Sequence, residues 1–285
     1  MADTRKVALR SIRPGLTPQG SIIAIAEELE RQATKYERAR DPRCVFARSY
    51  ANMSRVLAAS VPRAGFSDPA WVAQLAVTFA DYYLRALREQ DAGTLVSGAW
   101  STVFRAGQQR RTSVLEDLVL GMTAHIVNDL PRALCDVGMI GPRGESRISD
   151  YNLVSEVLAQ AIDDIQYDLS RRYDPLLGLL DHLVESYDEI LTNYGLRISR
   201  AGAWYNAQRL LDPASRAAAL GAIARSPEIT LREILDPPLP TLRCLFRVVR
   251  LLSRKARRWP DAAEHEGNSQ QPIASSAHIR TDVAG

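Results

Sequence analysis

From Ser21 onward, apolar residues recur at helical rather than strand spacing. In "SIIAIAEELERQATKYERA", Ile22, Ile25, Ala26 and Leu29 share one side, with Ser21 placed to cap. "VFARSYANMSRVLAAS" repeats the pattern through Phe46, Tyr50, Met53 and Leu57, and Pro62 ends it. "SDPAWVAQLAVTFADYYLRALRE" carries Ser67 or Asp68 as cap and Pro69 in the first turn. Its stripe is Trp71, Leu75, Phe79, Tyr82 and Ala86. Trp100 and Phe104 mark a short segment, and a further helix begins near Thr112. The glycines of "GMIGPRGES" make a loop. After it the periodicity predicts one long helix over 150–172, then helices over 175–193 and 197–211, and a short one in "DPASRAAALGAIARS".

No alternating strand pattern, hairpin turn or internal repeat interrupts this series. The expected fold is therefore all-α, a single multi-helix bundle-like domain spanning about 20–258. A loose leader covers 1–19, and a polar, disordered C-terminal tail covers 259–285. Composition agrees: 46% of the 285 residues are apolar and 24% charged. A net charge of +3 does not call for nucleic acid. Three cysteines without a CxxC pair argue against a disulfide framework or a thiolate zinc site. With no signal-like leader and no long apolar run, a soluble, cytoplasmic protein is expected.

The chemistry concentrates in "GMTAHIVNDLPRAL", 121–134. On a helical wheel Leu115, Leu118, Met122 and Ile126 form a stripe, and His125 and Asp129 fall inside it. An ionised aspartate facing a core costs several kcal/mol unless it is paired. At i and i+4 the two side chains can reach one centre, as two metal ligands or as a carboxylate orienting an imidazole. The plainer reading is a satisfied core histidine with Asp129 capping a helix or pairing with an arginine such as Arg197 or Arg200. Pro131 is expected to end or kink this helix.

Only four histidines exist, His125, His182, His265 and His278, so a metal site would have to be rich in carboxylates. Asp150 and Asp168 flank the stripe of the long helix and complete a candidate set with His125 and Asp129, for Zn, Fe, Mn or Mg. Asp164 lies a little further out, and Asp163 points away. The run "DDIQYD" resembles the acidic cluster of class I terpene synthases, and "NDLPRALCD" loosely resembles their second metal motif. The order of the two is reversed here, and a charge run on a helix is usually a solvated face.

"GMTAHIVNDLPRAL" also resembles the A-H-I-N-x-D-L-P signature of a bacterial family, domain of unknown function 5995. The resemblance runs from about Phe46 to Leu211, through "GFSDPAWVAQLAVTFADYYLRAL", Trp100, "SDYNLVSEVL" and "RISRAGAWYNAQRL". It implies a helical fold and, by position, puts the family's His and Asp at His125 and Asp129, its Asp before the long helix at Asp150, and its late-helix Arg and Trp at Arg200 and Trp204. The signature Asn is Val127 here, and an Asn common in the long helix is Ser155, so a ligand site built on those amides would be altered. A looser likeness, limited to an H-x3-D pair on a helix, links the chain to helical zinc phospholipases C and nucleases. The family supplies no activity.

The leading expectation is an enzyme acting on a small, largely apolar molecule between helices. Metal-assisted hydrolase or lyase chemistry, of the kind found in secondary metabolism, is the leading reaction class. His125 would be ligand or general base and Asp129 its partner. Arg200 would bind an anionic group, and Tyr83, Trp100 and Trp204 would wall the pocket. The alternatives are terpene synthase-like Mg²⁺-dependent diphosphate chemistry and a non-catalytic helical ligand- or partner-binding protein. At 239–258, "LPTLRCLFRVVRLLSRKARR" interleaves seven basic residues with apolar ones. It reads first as a helix packed on the bundle, and second as a weak peripheral contact with an anionic membrane.

Overall fold

The computed structural model describes residues 15–96, 98–177 and 193–260. Within them the regular elements are helical, apart from one isolated antiparallel bridge, Ile140 to Ser146, in the glycine loop. The helix expected over 175–193 lies almost wholly outside the described residues, as do His182, His265, His278, most of the leader and the tail from 261 on.

Local chemistry sets the boundaries. Helix α1 (Pro18–Arg38) starts ahead of Ser21, because Thr17 supplies the cap: its Oγ1 accepts the Gly20 amide at 3.0 Å. Pro18, with no N–H to satisfy, suits the first turn. Ser21 is buried instead and donates to the Thr17 carbonyl. Helix α2 (Arg43–Ser60) stops short of Pro62 as expected. Helix α3 (Pro69–Asp91) is capped by Asp68, whose Oδ1 accepts the Trp71 amide at 2.9 Å. The Trp100 segment is α4 (Ala99–Gln108). Ser113 and Glu116 form a reciprocal capping box at the start of α5 (Val114–Thr123), so two otherwise orphaned amides are satisfied.

Past α5 the chain departs from the expected pattern. Ala124–Asp129 forms a π-helical turn, in which the Leu130 amide donates to the His125 carbonyl five residues back. Pro131 does not end the rod. The wide turn places it in the first turn of α6 (Leu130–Val137), a position at which proline is tolerated.

The helix expected over 150–172 is two helices, α7 (Ile148–Ala159) and α8 (Ile162–Arg172). They are separated by a tightened turn in which the Ala161 amide reaches back only to Leu158. Helix α9 (Asn193–Leu211) follows. The short helix expected next is the full-length α10 (Arg216–Leu235), which carries buried Pro227 inside it. Helix α11 (Pro240–Ala256) is the basic segment.

Two large apolar clusters fill the interior, and Met53, Val56 and Met122 touch both. The π turn sits close to this junction, packed against α3, α4, α9 and α10. Helix α11 docks on the bundle through Phe246, Val249 and Ser253. Two of its flanking arginines turn inward: Arg250 pairs with Glu116 at 2.6 Å, and Arg257 pairs with Asp117. Arg247, Arg254, Lys255 and Arg258 stay exposed beside Val248, Leu251 and Leu252. Among the described residues, no helix is long and apolar enough to cross a membrane.

Candidate functional site

The centre of the site is a hydrogen-bonded row on the π turn. His125 Nδ1 lies 2.9 Å from Asp129 Oδ2. An ionised carboxylate only accepts, so the proton of the neutral ring resides on Nδ1. The same Oδ2 accepts from Trp100 Nε1 at 2.8 Å, and Oδ1 accepts from Asn128 Nδ2 at 2.6 Å. Arg132 in turn donates to Asn128 Oδ1 at 2.7 Å. Asp129 thus keeps three donors in place of water, with a cation one side chain further out. That is what a carboxylate 2% exposed requires.

Aromatic rings enclose the imidazole. Phe79 stacks on it face to face, with centroids 3.6 Å apart and planes within 6°. Tyr50 meets it edge-on at 4.8 Å, and Phe46, Tyr83 and Trp100 close the remaining sides at 5.8–6.0 Å. Phe46 can lie this close only because residue 121 is glycine: a Cβ there would come within 2.4 Å of its ring. Phe46, Tyr83 and Trp100 also line a cavity of about 20 Å³, room for one water, bounded by Arg43, Asp117 and Gly121. On the other side, Tyr50, Phe79 and Met122 remain partly exposed and supply apolar surface.

Within this cage, His125 Nε2 is buried and has no hydrogen-bond partner among the described residues. Leaving such an atom unpaired costs about 1–3 kcal/mol. Two other buried nitrogens share that state, the Nε atoms of Arg147 and Arg172. Both belong to guanidiniums whose charge is met by carboxylates, Asp68 for Arg147 and Glu37 with Asp168 for Arg172. The imidazole has no such compensation at its free end. Burial lowers its pKa below the usual 6.5, against the opposing pull of Asp129, so Nε2 presents a lone pair at neutral pH.

The structure brings His125, Asp129, Tyr83 and Trp100 together. Arg200, on α9, lies over the Tyr151 ring at 4.4 Å, and Trp204 packs on the same ring at 5.0 Å. The remaining acids lie elsewhere. Asp150 accepts the amides of Ser67 and Asp68 at 2.8 and 2.7 Å and so holds the chain leading into α3. Asp168 accepts from Asn52 and faces Arg172. Asp163 and Asp164 are exposed in the first turn of α8. The set His125, Asp129, Asp150 and Asp168 is therefore not assembled. Among the described residues, no three His, Cys, Asp or Glu side chains gather to hold a metal ion. These residues do not fit a carboxylate-rich divalent site, because each acid is already committed to another bond.

Sequence reasoning passed over Phe46, Tyr50 and Phe79, which read as ordinary core stripes, and Asn128. The stripe positions were visible; their convergence on one imidazole was not.

An all-helical protein organised around a buried His–Asp pair on a π turn is the class that fold and site define. More particularly, the chain belongs to the family of unknown function DUF5995, whose model matches residues 22–237. That span is wider at both ends than the signature-bearing stretch. No curated protein and no solved structure matches the chain.

Proposed function

We propose that the protein is an enzyme in which His125 acts as a general base on a small, largely apolar molecule, in hydrolysis or elimination. The observation that carries this reading is the buried, unpartnered Nε2 of an imidazole whose Nδ1–H is fixed by a carboxylate. A neutral imidazole in that state accepts a proton from water or from substrate. The imidazolium it becomes is stabilised by Asp129, which needs no rearrangement because its three donors are already in place. The aromatic cage excludes bulk water and offers apolar contact. π-helical turns recur at functional sites, since they trade regular bonding for a particular side-chain placement.

Turnover of a panel of small apolar esters, epoxides and hydroxy acids by wild type, His125→Gln and Asp129→Asn tests the proposal. The expected result is a loss of roughly 10²–10⁴-fold in His125→Gln, with the helical circular dichroism unchanged. Wild-type turnover that survives the substitution would refute the assignment. The burial of His125, 2% exposed, favours one second reading, a binding protein without chemistry. It predicts ligand-induced stabilisation with no turnover of any bound compound.

A further inference from the structure

Arg48, the other arginine buried among the described residues, meets carboxylates. Arg48 pairs with Glu37 at 2.7 Å and also with Glu30, and Arg257, largely buried, pairs with Asp117. Arg200 is the exception. It is 4% exposed, yet no Asp or Glu among the described residues lies within ion-pairing distance of it. Its Nε donates to Ser155 Oγ at 2.6 Å, and Nη2 reaches only the Tyr151 carbonyl, at 3.4 Å. A guanidinium has five N–H donors. Those on Nη1 go to no described residue. A buried charge is normally paired, because desolvating a lone one costs several kcal/mol.

Arg200 is also oriented. It rests on the Tyr151 ring, and the Tyr151 hydroxyl donates to Arg200's own carbonyl at 2.6 Å, so the ring is tied to α9. Ser155 fixes the Nε edge. The tip belongs to the same region as His125. The π turn packs on α9, and Tyr50, in edge contact with the imidazole, feels the Asp129 and Arg200 charges with opposite sign.

We infer that Arg200 binds the carboxylate of the apolar molecule on which His125 acts, so that the substrate class is a small organic monoanion with an apolar body. The inference rests on the general-base reading for the word substrate, but the anion site can be measured without it. One unpaired cation matches one negative charge. A phosphate dianion would leave charge uncompensated in a buried place, which selects carboxylate over phosphate. The free fork of the guanidinium suits two carboxylate oxygens.

The test is calorimetric titration of the full-length protein with straight-chain carboxylates from butanoate to octanoate and with phenylacetate. Each is run beside its primary amide, and inorganic phosphate forms a separate arm. The expected result is at least about tenfold tighter binding of carboxylate than of matched amide, from charge-assisted hydrogen bonds, with affinity rising with chain length. Arg200→Gln should erase the discrimination, and Arg200→Lys should weaken it while keeping its sign. Equal affinity for acid and amide in wild type would overturn the inference, and that arm needs no variant to fold. So would phosphate binding more tightly than every carboxylate, or an Arg200→Gln variant that folds and still prefers acids. Carboxylate selectivity without turnover would count against the His125 assignment and leave the anion site standing. His125-dependent turnover of neutral compounds only would do the reverse.

Discussion

Two buried polar centres in this molecule are built to different rules. In the first, Glu37 is 1% exposed and is met by Arg48 and by the hydroxyl of Tyr173, while Arg48 also reaches Thr34 and Glu30. Each charge has its counter-charge, and the cluster ties α1 and α2 to the end of α8. In the second, Asp129 is saturated, but among the described residues His125 Nε2 has no hydrogen-bond partner and Arg200 no carboxylate. A centre that serves only to join helices matches every charge it buries, even where one nitrogen at its edge, Arg172 Nε, has no hydrogen bond. On the proposed function, the second centre keeps a lone pair and a cation in reserve for a ligand, and the rest of the fold offsets their cost. Burial alone does not separate the two, since both lie equally deep.

Substitutions put this contrast to the test. The largest effect is expected at the saturated centre. Glu37→Ala strips Arg48 of a buried partner and should cost about 3–5 kcal/mol in urea unfolding. Destabilisation under about 1 kcal/mol would show that the pair is not structural. Next comes Gly121→Ala. The added Cβ must displace the Phe46 ring, and overpacking of this kind costs about 1–3 kcal/mol. Near-ultraviolet circular dichroism should change as well, because Phe46 leads the packing around Tyr83 and Trp100. A thermally unaffected variant with an unchanged aromatic spectrum would contradict that close approach.

At the unsaturated centre His125→Gln should be mild, within about 1 kcal/mol of wild type. It removes an orphaned acceptor while the glutamine amide can still serve Asp129. A loss as large as that of Glu37→Ala would mean His125 is a structural residue, and the contrast would collapse. The smallest effect concerns pH. The folded pKa of His125 lies below its unfolded value, so the unfolded chain binds the extra proton first as pH falls. The contribution is complete above about pH 6.5 and is lost as pH drops toward the folded pKa. Wild type should therefore lose stability below that point with a steeper slope than His125→Gln. Parallel slopes would show that the imidazole titrates normally.

The helical class was legible because each segment buries one stripe, and stripes survive in sequence as spacing. His125 and Asp129 were legible for the same reason: polar residues inside a stripe have to be explained. Asp150 and Asp168 misled because a wheel gives the angle of a side chain around its own axis, not what waits there. For Asp150 it is the backbone of residues 67 and 68, and for Asp168 it is Asn52 and Arg172. The break at Gln160–Ala161 also reset the phase between the two halves of that segment. Arg200 entered as one possible partner of Asp129 and through family resemblance. That no described carboxylate meets it is a fact of three-dimensional packing that no spacing records. The π turn left no trace at all, since its residues are ordinary helix formers and Pro131 signalled only an ending.

That turn makes the segment from Val114 to Val137 behave as two gears on one shaft. Six residues close the turn through a bond five positions long, so α6 carries one residue of added phase relative to α5. In a regular helix a residue is worth about 100° of rotation. Excising Val127 would let the shaft run true, and it would swing Asp129 away from Trp100 or turn the α6 face away from α9, but could not preserve both alignments. The spacing between the chemistry and the bundle wall is thus metered by a single amino acid, and length, more than identity, is what this stretch of chain has to keep.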